Sequence, residues 1–179
     1  MDRPLLILDL DETLVYSAER PQARACDFEL GPYFVYRRPL IDEFLHTVAE
    51  WFDLAVWSSA GRDYVELLVR RIFADAFHLH FVWSCERCTH RFHPERLEPY
   101  WVKDLKKVKR MGYSLERVLV LDDSPEKLER QYGNLIRIRP FFGDESDTQL
   151  RDVLPLLERI RSVADVRAVE KRFWSGQGM

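Results

Sequence analysis

The run Leu5-Leu6-Ile7-Leu8 constrains this chain most, because it is apolar without alternation and breaks directly into Asp9-Leu10-Asp11. A strand with one solvated face alternates apolar and polar residues. An unbroken apolar run needs cover on both faces, as in a parallel sheet flanked by helices. Asp53-Leu54-Ala55-Val56-Trp57 and Arg117-Val118-Leu119-Val120-Leu121 have the same character, and His80 to Trp83 and Asn134 to Ile138 are shorter candidates. Between them apolar residues recur at helical spacing: Ile41, Phe44, Leu45, Val48 and Phe52, then Val65, Leu68, Val69, Ile72, Phe73 and Ala76. Leu150, Val153, Leu154, Leu157 and Ile160 repeat the pattern near the end. Strands alternating with helices imply an α/β fold with a central parallel sheet and right-handed crossovers.

The connecting segments are less regular. Ser17 to Arg24 is polar and reads as a loop. Asp27 to Leu30 and Tyr33 to Tyr36 read as two short strands about Gly31-Pro32, a small flap over the sheet edge. Residues 84–101 read as irregular, and Val102, Leu105 and Val108 as a short helix ending before Gly112. Ser124 is placed to cap a further helix, with Pro125 in its first turn. The expected organisation is a domain over 1–162, with the flap at 17–38, and a C-terminal helical extension with a frayed tail over 163–179.

The chain's 179 residues suffice for one sizeable core. A net charge of −3 gives no reason to expect bulk nucleic-acid or acidic-membrane binding. No apolar run has the length of a membrane span. The first core strand follows the N-terminus too closely for a signal peptide. Three cysteines, an odd number, suggest free thiols and a reducing cytoplasm rather than a disulfide framework. The expected state is a cytoplasmic monomer.

Asp9 and Asp11 stand at the C-terminal end of the first strand, where open α/β sheets bind ligands. Crowded carboxylates repel unless a cation or a shared proton lies between them. Mg²⁺ suits an all-oxygen site, with one Asp as nucleophile and the other as acid/base. Strand-end solubility or helix capping would explain two aspartates equally well. Asp122-Asp123 end another predicted strand, and Ser58 ends a third. The Ser58 hydroxyl, with the backbone N–H groups of Ser59 and Ala60, could cradle a phosphate. Every polar motif thus falls at a strand's C-terminal end.

Asp9-Leu10-Asp11-Glu12-Thr13-Leu14-Val15 after an apolar strand resembles the first motif of the haloacid dehalogenase (HAD) superfamily. The chain is most similar to the branch holding the RNA polymerase II C-terminal-domain phosphatases, their small NLI-interacting-factor-like relatives and bacterial proteins of the same family, and it reads as a bacterial-type member. Ser58 resembles the second motif, Val102-Lys103-Asp104-Leu105 the third, and Asp122-Asp123-Ser124-Pro125 the fourth. Arg38-Pro39, Asp42-Glu43-Phe44-Leu45 and Ser146-Asp147-Thr148 add to the likeness, which covers roughly residues 4 to 160.

The resemblance implies a Rossmann-like HAD domain without a large cap. It implies a phosphomonoester hydrolase in which Asp9 attacks phosphorus and Asp11 is acid, then base. Mg²⁺ would be held by Asp9, the Asp11 backbone carbonyl and Asp123, with Asp122 in support. Ser58 and Lys103 would hold the phosphoryl oxygens. Relatives often carry an Arg near position 85. Here Cys85 stands there, so Arg87 or Arg91 would have to substitute. The implied partner is a phosphoserine or phosphothreonine protein. A small-molecule or nucleic-acid-end substrate is an alternative, as is a catalytically silent binding module. Cys85, Cys88, His90 and His93 could in principle hold zinc, although their spacing is compressed for it. Trp57, Trp83, Phe92, Tyr100 and Trp101 are candidates for an aromatic rim or for ordinary core.

Overall fold

A computed structural model describes residues 3–93, 97–172 and 174. Strand β1 (Leu5–Leu8) leads into an antiparallel excursion of β2 (Val15–Ala18), β3 (Phe28–Leu30) and β4 (Tyr33–Arg37). Helix α1 (Ile41–Trp51), β5 (Asp53–Trp57), α2 (Arg62–Ile72) and β6 (Leu79–Trp83) follow. Then come a hairpin of β7 (Thr89–His93) and β8 (Glu98–Val102), the short helix α3 (Lys106–Lys109) and β9 (Val118–Asp122). The described chain closes with β10 (Leu135–Arg137), α4 (Gln149–Asp152) and α5 (Leu154–Ile160).

The central sheet has the order β10-β9-β1-β5-β6, and all its pairings are parallel. β1 lies in the middle and explains its own composition. Leu6 and Leu8 pack into one core with Leu54, Val56, Leu119 and Leu121 under α1, α2 and α5. Leu5 and Ile7 point the other way, into a second core with Trp57, Val118, Val120, Leu105 and Val108. A strand covered on both faces can afford no polar residue until it leaves the sheet.

Several expectations need correction. Val15–Ala18 is a strand, so the flap is a three-stranded sheet of order β2-β4-β3 and not a loop plus two strands. Its sequence is too mixed to announce pairing, and β4 supplies the partner. The stretch read as irregular over 84–101 contains most of the β7–β8 hairpin, on which His90, Arg91 and Glu98 are exposed. The helix expected after Ser124 is only a 3-10 turn at Pro125–Leu128, and Ser124 makes no side-chain cap to it. The closing helix is broken at Val153, one residue before α5, which carries a proline in its first turn. Val166–Ala168 is a 3-10 turn, with Val166 buried in the main core. The frayed tail expected at 175–179 lies outside the described residues.

Candidate active site

Register decides what meets at the C-terminal edge of the sheet. Leu8 pairs with Leu121 on one side and Val56 on the other. The next residues, Asp9 and Asp122, are therefore level, and Ser58 lies one step beyond on the neighbouring strand. The chain turns immediately after Asp9, whose N–H donates to the Leu121 carbonyl at 3.0 Å. The Leu10 carbonyl then accepts from Thr13, Leu14 and Val15. Glu12 takes a left-handed conformation (φ 61°) at the apex. So the strand does not continue through Asp11.

Asp9, Asp122 and Asp123 each offer a carboxylate oxygen, all within 4.8 Å of one another. All three are buried. Lys103 is wholly buried beside them, its Nζ 2.9 Å from Asp9 Oδ1 and 2.5 Å from Asp122 Oδ2. It arrives at the end of β8, so the third motif reaches the site from the small hairpin and not from the central sheet. Asp122 Oδ1 accepts the Ser124 N–H at 2.9 Å, and the Ser124 hydroxyl donates to Asp123 Oδ2 at 2.9 Å.

A second lysine, which the sequence reading had not singled out, enters the same cluster. Lys127 Nζ lies 3.1 Å from Asp9 Oδ2, 3.6 Å from Asp122 Oδ1 and 3.8 Å from Asp123 Oδ1. Its position four residues after Asp123 in a helical turn was the available signal. The Lys103 N–H donates to the Lys127 carbonyl at 2.7 Å, which ties the two lysine-bearing segments together.

These charges separate the carboxylates chemically. Burial alone would raise Asp9, but the Lys103 and Lys127 ammoniums outweigh it and hold Asp9 below the usual carboxylate range. Asp122 is raised by burial and by the Asp9 charge. Asp11 is not one of the three clustered acids, and its Oδ1 accepts the Tyr64 hydroxyl at 2.5 Å. Burial pushes its carboxyl up to about 6; the Tyr64 bond opposes this and the Asp9 charge adds to it. Tyr64, on α2, also meets the Ser17 hydroxyl of the flap at 2.6 Å. That link was illegible before the fold was known.

The remaining candidates divide. Ser58 is buried at the end of β5, but its Oγ accepts the Ala60 N–H at 3.0 Å, so that N–H is turned inward. Ser59 is half-buried in the same loop. Arg87 lies over the Trp83 ring at 5.1 Å and forms no ion pair with the cluster among the described residues. Cys88 is buried beneath Ser58, its thiol 3.9 Å from the Ser58 carbonyl, while His90 packs on Trp101. Trp57 and Trp83 are core, packed edge to face at 4.8 Å. Phe92 and Trp101 are exposed on the hairpin.

The family model described as NLI interacting factor-like phosphatase matches residues 4–167. The chain belongs to this family. It is 34% identical over 185 residues to CTD nuclear envelope phosphatase 1 of Xenopus tropicalis, covering 95% of this chain and 72% of the relative. It is 32% identical over 177 residues to the human carboxy-terminal domain RNA polymerase II polypeptide A small phosphatase 1, covering 94% and 63%. A fission yeast RNA polymerase II CTD phosphatase bound to beryllium fluoride superposes with a TM-score of 0.60 at 17% identity, over 92% of this chain and 53% of that one. The chain thus spans about half the length of that phosphatase. An uncharacterized Listeria monocytogenes protein has a TM-score of 0.58 at 18% identity, covering 88% and 99%. The NLI interacting factor-like chain is accordingly an HAD-fold phosphatase, a phosphoric monoester hydrolase.

These relatives correct the expectation of a cytoplasmic protein. Several carry the nuclear envelope in their names, as does the yeast nuclear envelope morphology protein 1. The physical reason is that the expectation rested on an odd count of three cysteines, which at most suggests a reducing environment. Cytosol and nucleus share that environment, so thiols do not distinguish them. Among the described residues no helix is long and apolar enough to cross a membrane.

Proposed function

We propose that this chain is a Mg²⁺-dependent protein phosphatase acting on phosphoserine or phosphothreonine through an aspartyl-phosphate on Asp9. One observation carries the reading: two neighbouring carboxylates are driven apart in proton affinity, Asp9 downward and Asp11 up to about 6. Such a split supports reading Asp9 as an anionic nucleophile and Asp11 as a proton donor. The names of the small CTD phosphatase and nuclear envelope phosphatase relatives support a protein substrate.

In the first step an Asp9 oxygen bonds to phosphorus and the bond to the leaving oxygen breaks. Asp11 gives that oxygen its proton. In the second step Asp11, now ionised, takes a proton from water, whose oxygen attacks phosphorus. The Asp9–phosphorus bond breaks, inorganic phosphate leaves, and both carboxyl groups return to their starting forms. Lys103 offsets charge on the nucleophile and the phosphoryl oxygens. The cluster of Asp9, Asp122 and Asp123 is all hard oxygen and net anionic, and so fits Mg²⁺. Asp9 and Asp123 would hold the ion, together with the Asp11 carbonyl. Bound there, it would supply charge neutralisation between anionic nucleophile and anionic substrate.

The test is hydrolysis of p-nitrophenyl phosphate and of phosphoseryl and phosphothreonyl peptides, with and without Mg²⁺, by wild type and Asp9→Asn. Magnesium-dependent turnover that vanishes in Asp9→Asn is the expected result. Equal turnover by both proteins would remove Asp9 as nucleophile. Turnover of small phosphomonoesters with none of the peptides would favour a small-molecule phosphatase.

A further inference from the structure

The Asp9 carboxylate is closed off in this structure. Its side chain is 2% exposed, one oxygen is held by Lys103 and the other by Lys127. The two lysines differ in how firmly they are placed. Lys103 is fully enclosed, whereas Lys127 retains 17% side-chain exposure. Lys127 hangs from a short 3-10 turn on a flexible four-carbon stem. Its ammonium is within 3.8 Å of an oxygen from every member of the three-acid cluster. A single positive charge therefore touches a carboxylate oxygen of each acid in the cluster, including Asp9 and Asp123, the two side chains that would hold a divalent cation.

We propose that Lys127 is a tethered counter-ion of the metal-free enzyme, a gate that Mg²⁺ must displace from Asp9, Asp122 and Asp123 before the nucleophile opens. The gate keeps the acid cluster neutralised when no metal is bound. It competes with the metal because like charges cannot share three carboxylates at contact distance. On metal binding the ammonium swings outward on its stem, toward the side already open to solvent. There it is available to a phosphoryl oxygen or to water. This inference rests on the metal reading of the cluster given above.

Two measurements on the full chain test it without reading turnover. The first is Mn²⁺ affinity from the electron paramagnetic resonance signal of free ion, for wild type, Lys127→Met and Lys127→Gln. Lys106→Ala, outside the cluster, is the control. Neutral variants should bind Mn²⁺ at least about tenfold more tightly, the scale of one unit charge a few ångströms away. The control should match wild type. The second is mass-spectrometric acetylation of wild-type lysines, which is independent of whether either variant folds. Lys127 should be protected in metal-free protein and become several-fold more reactive when Mg²⁺ is added. Equal or weaker Mn²⁺ binding by folded variants, or Lys127 reactivity unmoved by Mg²⁺, would overturn the gate and leave the metal site standing. Mn²⁺ binding by none of the proteins would overturn both.

Discussion

Arg38 offers the sharpest test of how this site is braced. The residue follows β4 and is wholly buried. Its Nε and Nη2 donate to the two oxygens of Asp147, each at 2.8 Å, across 109 positions of sequence. Nη1 donates to the Thr13 carbonyl at 3.0 Å and Nη2 also to the Arg139 carbonyl at 2.9 Å. One guanidinium thus ties the turn after β1, the segment after β10 and the entry to α4. Replacing it with Met fills the space but leaves a nearly buried carboxylate without its counter-charge. Breaking a buried pair from one side costs about 3–5 kcal/mol. The two abandoned carbonyls belong to the same loss and place Arg38→Met toward the upper end. With a urea slope of about 2 kcal/mol/M, the unfolding midpoint should fall by about 2 M. Far-ultraviolet circular dichroism and tryptophan fluorescence should give coincident curves if the transition is two-state. The double variant Arg38→Met/Asp147→Leu removes both charges and should be less destabilised than the sum of its parts by about 2 kcal/mol or more. A midpoint shift under about 0.5 M for Arg38→Met, or strict additivity in the cycle, would refute the reasoning.

Three further outcomes follow from the same geometry. Asp11 has a folded pKa of about 6 against an ordinary 3.8, so its contribution is favourable below pH 3.8 and is lost as pH rises through 6. Asp11→Asn should therefore stabilise the metal-free protein by up to about 3 kcal/mol at pH 8 and by almost nothing at pH 4, measured by urea unfolding at both; equal effects at both would count against it. Tyr64→Phe removes a bond that favours ionised Asp11, so the pKa should rise and the alkaline limb of the kcat/KM profile should move to higher pH; a limb that stays or moves down contradicts the assignment. Cys88 is buried and its thiol is raised by that burial, so in native protein a thiol reagent should modify Cys26 and Cys85 well before it, as peptide mapping would reveal.

Much of the site was legible in one dimension because its chemistry follows strand ends. Asp9, Ser58, Asp122 and Asp123 each end an apolar run, and burial on both faces forces such runs to stay apolar until the sheet stops. Lys103 stands out in the sequence by its resemblance to a motif, but its route into the site along the β7–β8 hairpin does not. The hairpin's mixed residues carry no period strong enough to separate strand from loop. Arg38 and Asp147 both stand in segments that resemble the family, and nothing in the sequence says that they pair. Lys127 looked like one more lysine on a polar turn.

The sequence by itself determined the layered α/β architecture and the sheet edge at which the carboxylates gather, since period and apolar run length depend only on near neighbours along the chain. Tertiary structure alone decided which charges touch. It placed Lys127 against three acids and set Tyr64 on Asp11. Those contacts join residues far apart in sequence through a register and a crossover, and a charge at 3 Å is felt far more strongly than one at 10 Å. The proton affinities that separate nucleophile from acid are therefore properties of the folded edge, not of the motif that announces it.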